Sequence, residues 1–384
     1  MTKHDPQVVW RIYADLPPHE KVAMRLKALI GDAIARATFV EVLAATRTRS
    51  PDRRPWSARN VQALLETLRA RGLLEDDFAC AAALRHRIAV EAAEGEQRVI
   101  LTGALGQTLP RSDREQPKIY YSYHRPALAD DHDLFRRVRL AIYANDEAEF
   151  VRLCRLIERE NDGGANLILA ALLSKLPGDI PWLERRAPTI RDAIVLSMVL
   201  ALLESETIRA DTAAAVVQFS QQAASPLELT KALLRRDLLS GNFDAAVRRV
   251  AALPPDDITV TSAHAVIDFL TGRNARAVAG FRDALKQVRK RTNKRKCMLE
   301  AEAGVFHVLA LLREGDPRLH GEIRNLLDAG RSNGSALWAA YQALEAMLDV
   351  VSGQDGKAAG KDSPDTSAAS ARCGAGLARR SAYQ

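Results

Sequence analysis

Two stretches of this 384-residue chain repeat one another. Leu239-Ser240-Gly241, followed by Ala246-Val247, recurs as Leu270-Thr271-Gly272, followed by Ala277-Val278; the offset (239 to 270, 246 to 277) is 31 residues throughout. A small residue in a turn and an alanine soon after it, at that period, mark paired helices that approach closely and stack pair upon pair. Phe281 and Ala284 extend the second copy. Weaker echoes stand at Ala144-Asn145 before Phe150-Val151, and at Arg313-Glu314-Gly315. Composition points the same way: alanine, leucine and arginine dominate and aromatics make up 5%, a mixture that favours helices over strands. A helical body over residues 134–351 is expected.

The first hundred residues carry a different pattern. His19 to Ile30 has Val22, Leu26 and Leu29 at helical spacing. Thr38 stands where a cap would start a second helix, with Phe39, Val42 and Leu43 inward. After a basic loop from Arg47 to Trp56, Ser57 caps a third helix running to about Arg71. Val61, Leu64, Leu65 and Leu68 form one apolar stripe along it, and Gly72 ends it. Leu73-Leu74 and the residues after them suit a short strand or hairpin, and His86 to Ala93 another helical turn or two. Three helices, a glycine and a hairpin follow the order of a winged helix, whose third helix is the one that enters the major groove in DNA-binding members. The outward face of that helix would carry Arg59, Gln62, Glu66, Arg69 and Arg71.

The expected fold class is therefore mainly α: a winged-helix-like domain over 1–94, then a solenoid of helical pairs resembling tetratricopeptide (TPR) repeats, whose period of about 34 residues lies near the observed offset. Residues 95–133, with Gly95, Gly103, Gly106, Pro110, Pro117 and Pro126 and the aromatic patch Tyr120, Tyr121, Tyr123, read as a linker or arm. Residues 352–384, rich in Gly, Ala and Ser, bury too little apolar surface to offset their ordering entropy, so a disordered tail is expected. Met1 to Trp10 lacks an apolar signal-peptide core, and the most apolar run, Ala193 to Leu203, is far short of the roughly 20 residues that span a bilayer. A cytoplasmic protein with no membrane partner is the expectation.

Catalytic signatures do not emerge. The nearest approach to a phosphate-binding loop, ending Gly360-Lys361-Asp362, has Asp355 in place of its first glycine and a carboxylate in place of its hydroxyl. The four cysteines (Cys80, Cys154, Cys297, Cys373) form no CxxC pair. No HExxH or G-x-S-x-G is present, and Cys80 with His86 lacks the second pair a zinc site needs. Cys154 and His307 read as core residues. No catalytic, cofactor or metal site is expected, and the chain is expected to act by binding rather than as an enzyme.

Charge supplies the binding candidates. With 55 Lys+Arg against 48 Asp+Glu the chain carries +7 and a pI near 9.3, an excess that permits contact with nucleic acid without demanding it. Arg47, Arg49, Arg53 and Arg54 precede the third helix, which carries Arg59 and Arg69. A second cluster holds Lys286, Arg289, Lys290, Arg291, Lys294, Arg295 and Lys296, so seven of eleven residues are basic. One or two cations suffice to complement a helix C-terminus; seven suit an acidic partner.

Arg54-Pro55-Trp56-Ser57, Gly72-Leu73-Leu74 and the segment from Cys80 through His86 to Ala93 resemble the N-terminal accessory region of large bacterial Swi/Snf-type DEAD/DEAH helicases. Phe281 to Leu312, with Arg289-Lys290, Lys294-Arg295-Lys296 and the run Phe306-His307-Val308-Leu309-Ala310-Leu311-Leu312, is similar to their helical-repeat part. The likeness covers roughly residues 10–345. It implies a DNA-associated role and, without a Walker A lysine or DExH box, no ATPase activity for this polypeptide. The tail sets in where the family pattern would continue, as in a truncated gene or an independent accessory protein. The expected function is a non-catalytic accessory or regulatory region that binds double-stranded DNA through Arg47, Arg49, Arg53, Arg54, Arg59, Arg69, Lys290, Arg291, Lys294, Arg295 and Lys296 and holds a protein partner in its helical groove. The alternative is a protein–protein adaptor that binds no nucleic acid.

Overall fold

The computed structural model describes residues 5–109, 129–160, 169, 172–204, 209–221, 225–332 and 337–353. Among them secondary structure is helical, apart from one isolated antiparallel bridge between Leu74 and Cys80. The chain divides into two compact units, Met1–Arg236 and Asp237–Gln384. The expected Tyr120–Tyr123 arm and nearly all of the expected tail lie outside the described residues.

In the first unit, α1 (Pro6–Ala14) starts behind Asp5, whose side chain accepts from the Gln7 N–H at 2.9 Å. Helix α2 (Pro18–Ile30) stops at Gly31, in the left-handed region at φ 88°. Helix α3 (Arg36–Ala45) begins two residues before Thr38, behind Ala35 and without a side-chain cap, so Thr38 is not the cap the sequence suggested. Helix α4 (Ala58–Ala70) follows its sequence signals: Ser57 accepts from the Asn60 N–H at 3.2 Å, and Val61, Leu64, Leu65 and Leu68 are buried. Gly72, at φ 74°, turns the chain, and the Leu73 N–H reaches back to the Leu68 carbonyl at 3.0 Å. The expected strand at Leu73-Leu74 is confined to the bridge. Glu75 and Ala81 donate to Ala79 and Leu73, with Phe78 at φ 62° between them, and α5 (Ala82–Glu94) begins at once. This leaves no length for a ladder.

The segment expected as a linker contains a helix, α6 (Arg98–Thr108), which buries Ala104 and places Leu101 and Leu105 in the unit's core. Gly103 and Gly106, which suggested irregular chain, sit where an added Cβ would meet nothing within 4 Å. Each costs up to about 1 kcal/mol in a helix, less than burial of the leucines returns at roughly 1.5–3 kcal/mol per side chain. The core continues through α7 (Ala129–Ala144), α8 (Glu147–Glu160), α9 (Ile180–Glu184), α10 (Pro188–Glu204) and α11 (Ala210–Ser220) to the first part of α12 (Leu227–Leu239). The unit boundary thus falls inside α12, not in the expected linker. Helix α10 contains the apolar run Ala193 to Leu203, and no helix among the described residues is long and apolar enough to cross a membrane.

The second unit holds the end of α12, α13 (Phe243–Ala252), α14 (Ile258–Leu270), α15 (Asn274–Thr292), α16 (Ala301–Glu314), a 3₁₀ turn (Pro317–Leu319), α17 (His320–Ser332) and α18 (Trp338–Val351). The repeated sequence makes repeated backbone. Gly241 and Gly272 lie at φ 73° and 85°, and the Asn242 and Arg273 N–H groups donate to the Asp237 and Asp268 carbonyls, both at 2.8 Å. Ser240 and Thr271 hydroxyls donate to those same carbonyls, at 3.2 and 3.3 Å. Ala246 and Ala277 are both fully buried. An ion pair braces each copy: Asp237 with Arg249 and Asp268 with Arg273, each at 2.6 Å. The echo at Asn145 repeats the turn (φ 55°, Asp146 N–H to the Ala141 carbonyl at 2.9 Å), and Gly315, at φ 66°, ends α16.

Nothing lies within 4 Å of an added Cβ at Gly241 or Gly272, so a substitution there meets the backbone penalty alone. Gly272→Ala and Gly241→Ala are each expected to lower the stability of this unit by about 1 kcal/mol. Denaturant midpoints check this, and an unchanged midpoint at both sites would contradict it.

Candidate nucleic-acid interface

The loop between α3 and α4 is built by short-range hydrogen bonds. Thr46 donates its hydroxyl to the Leu43 carbonyl at 2.6 Å and lies 2.8 Å from the Thr48 hydroxyl, which accepts from the Trp56 indole N–H at 3.2 Å. The Ser50 hydroxyl bonds Asp52 and the Arg54 carbonyl, while the Ser50 N–H donates to that carbonyl at 3.1 Å. Trp56 is buried, its ring 6.5 Å from that of His19. Arg47 and Arg53 hold the left-handed backbone, at φ 58° and 59°, a conformation rare for residues other than glycine, asparagine and aspartate.

All six arginines predicted for this face are exposed. Arg47, Arg49, Arg53 and Arg59 make no ion pair among the described residues. Arg54 makes a long contact with Asp52 (3.9 Å) in which both side chains are mostly exposed, an arrangement worth little energetically. Arg69 lies over the Phe78 ring, 5.0 Å from its centroid. Arg71 is taken out of the face by Glu20, at 2.7 Å.

In the second unit, Lys286, Arg289, Lys290, Arg291, Lys294, Arg295 and Lys296 are all exposed at and beyond the end of α15, which closes on Asn293 in the left-handed region. Arg291 donates to the Asp256 carbonyl at 2.5 Å; the other six have no ion-pair partner among the described residues.

Sequence reasoning missed the buried titratable groups. The Lys27 ammonium sits 4.7 Å from the centre of the Phe39 ring in a residue 1% exposed. Burial pushes its pKa down to about 8, against the pull of Asp77 and Asp32. His86 bonds Tyr143 through Nδ1 (2.9 Å) and Asp179 through Nε2 (3.2 Å). The Asp179 carboxylate can only accept, which puts the imidazole proton on Nε2 and leaves Nδ1 to accept from the Tyr143 hydroxyl, itself an acceptor from Arg139 at 3.4 Å. Burial lowers the His86 pKa in spite of Asp179. Burial pushes the Cys80 thiol up to about 12. Among the described residues no group of three His, Cys, Asp or Glu is placed to hold a metal ion.

No protein family, curated protein or solved structure matches this chain.

His307 was read as a core residue, and it is fully buried, stacked on Phe281 at 5.3 Å between centroids. Neither ring nitrogen has a hydrogen-bond partner among the described residues. Burial lowers its pKa to about 4 from an ordinary 6.5. The unfolded chain therefore binds a proton that the folded chain refuses between those values. The stability present above pH 6.5 falls as pH drops towards 4, by about 3 kcal/mol in all. His307→Leu is expected to abolish this part of the pH dependence and to leave the protein at least as stable at pH 7, as followed by denaturant unfolding across that window. A wild-type midpoint that is flat from pH 6.5 to 4.5 would overturn the assignment.

Proposed function

We propose that this chain is a non-catalytic, DNA-associated accessory region related to those of bacterial Swi/Snf-type helicases. Helices α2 to α4 and the bridge after them act as a winged-helix-like head. The helical pairs of the second unit act as a TPR-like body that holds a protein partner. One observation carries the reading: Arg47, Arg49, Arg53 and Arg59, which make no ion pair among the described residues, stand exposed on and beside a loop that its own hydrogen bonds brace. Cations held in place without intramolecular counter-ions suit a polyanion, and each phosphate they neutralise releases bound counter-ions. Lys290, Arg291, Lys294, Arg295 and Lys296 supply a second cationic surface of the same chemistry.

A second reading, a protein–protein adaptor, is favoured by a separate observation. Leu239 and Leu270 occupy the same position in the two repeat copies and both are exposed, at 45% and 39%. Large apolar side chains left open at matched turns suit a protein ligand.

Replacing Arg53, Arg54 and Arg59 together with alanine is expected to weaken binding to a fluorescent duplex by tenfold or more at low salt, at about 1 kcal/mol per lost charge-assisted contact. It should also flatten the salt dependence by about two to three units of log–log slope. Unchanged binding with an unchanged slope sinks the DNA reading and leaves the adaptor in front.

A further inference from the structure

Beyond Arg59 in its first turn, the outward face of α4 is already satisfied from within. The Gln62 amide donates to the Glu66 carboxylate one turn on. The Thr67 hydroxyl donates to the Ala63 carbonyl at 2.8 Å, and Arg69 lies over Phe78. Direct reading of bases needs the reverse: an amide free to bond an adenine edge at two points, or a guanidinium free to fork onto guanine. Glu66 adds a negative charge to the middle of the face, where a groove lined by phosphates would repel it.

Five of the loop's backbone donors are likewise engaged. The N–H groups of Arg47, Ser50 and Arg53 donate to the carbonyls of Ala44, Arg54 and Ser50 at 3.0, 3.1 and 2.8 Å. Those of Thr48 and Arg54 donate to the Thr46 hydroxyl and Asp52 at 3.4 and 3.5 Å. Among the described residues the guanidinium groups of Arg47, Arg49, Arg53 and Arg59 have no internal partner. Their flat, fixed forks match phosphate oxygens.

We infer that this surface grips duplex DNA by its phosphates and does not read sequence through Gln62, Glu66 or Arg69 of α4. The inference rests on the DNA reading proposed above. It departs from the usual role of a third helix, which is to enter the groove and contact base edges. Phosphate contacts fix register and orientation but carry no sequence information.

The full chain, bound to a fluorescent random duplex, is challenged with unlabelled duplexes of unrelated sequence, some AT-rich and some GC-rich. All are expected to compete within about twofold of one another. The four arginines are expected to contribute about −3.6 to the log–log salt slope if all meet phosphates, at about −0.9 each. Gln62→Ala and Glu66→Gln, both on an exposed face, should leave the ranking of competitors unchanged, and Glu66→Gln should tighten binding to all of them alike. A preference of tenfold or more for one sequence, or a ranking altered by Gln62→Ala, overturns the inference while the DNA reading stands. Failure to bind any duplex at low salt overturns both.

Discussion

Burial of α2 is the constraint on which the first unit depends. Glu20, Val22, Ala23, Met24 and the five residues from Leu26 to Ile30 are all buried. A helix closed off on so many sides needs partners around it, and α5, α6 and α7 pack against it. The same burial encloses Lys27, whose ammonium has the Phe39 ring and distant carboxylates where water would otherwise be. Desolvation of that kind disfavours the charged form and lowers the pKa of Lys27 to about 8. From α2 the order passes outward. His19 lies beside Trp56, and Glu20 holds Arg71, so the end of the arginine loop and the end of α4 are tied to one buried helix. What remains for solvent is the set of cations the core cannot take.

The most legible parts were those in which one local signal decides one local structure. Ser57 and Gly72 bracket α4 because a hydroxyl can meet an N–H three residues on and a glycine can turn left-handed; neither needs knowledge of the rest of the chain. The repeat was legible for the same reason, since equal residues at Leu239-Ser240-Gly241 and Leu270-Thr271-Gly272 make equal turns. Helix α6 was not legible, because two glycines argue locally for loop while the leucines that outweigh them gain their value only from distant neighbours. The boundary inside α12 was hidden for a related reason. A continuous helix carries no composition break, and only the three-dimensional packing separates Leu233 from Asp237.

The candidate surface was legible as charge and illegible as chemistry. Sequence placed Arg47, Arg49, Arg53, Arg54, Arg59 and Arg69 near one another, and they are exposed. It also placed Arg71 on the same face, where a carboxylate 51 positions earlier holds it. Nothing in a run of letters distinguishes an arginine held by Glu20 from one facing water. The buried groups were harder still: His86, Tyr143 and Asp179 meet from three separate helical regions, with no motif at any fixed spacing to announce them.

The repeat itself bears on why the second basic cluster exists. The two copies agree in their turns and buried alanines, then diverge. Val247 is 47% exposed where its counterpart Val278 is 7% exposed. Helix α13 ends at Ala252 and is followed by Leu253, Pro254 and Pro255, whereas α15 runs on to Thr292. By the same offset (255 to 286), Lys286 corresponds to Pro255. The cationic run therefore begins where the first copy has already left its helix, in an extension of α15 that α13 lacks. The chain buries Phe281, Ala284 and Leu285 to hold this pair together, and beyond them the cations from Lys286 to Lys296 stay exposed. Like charges that close repel one another and weaken the helix that bears them, so packing gives no reason to gather them there. A polyanionic surface meeting that end of α15 would.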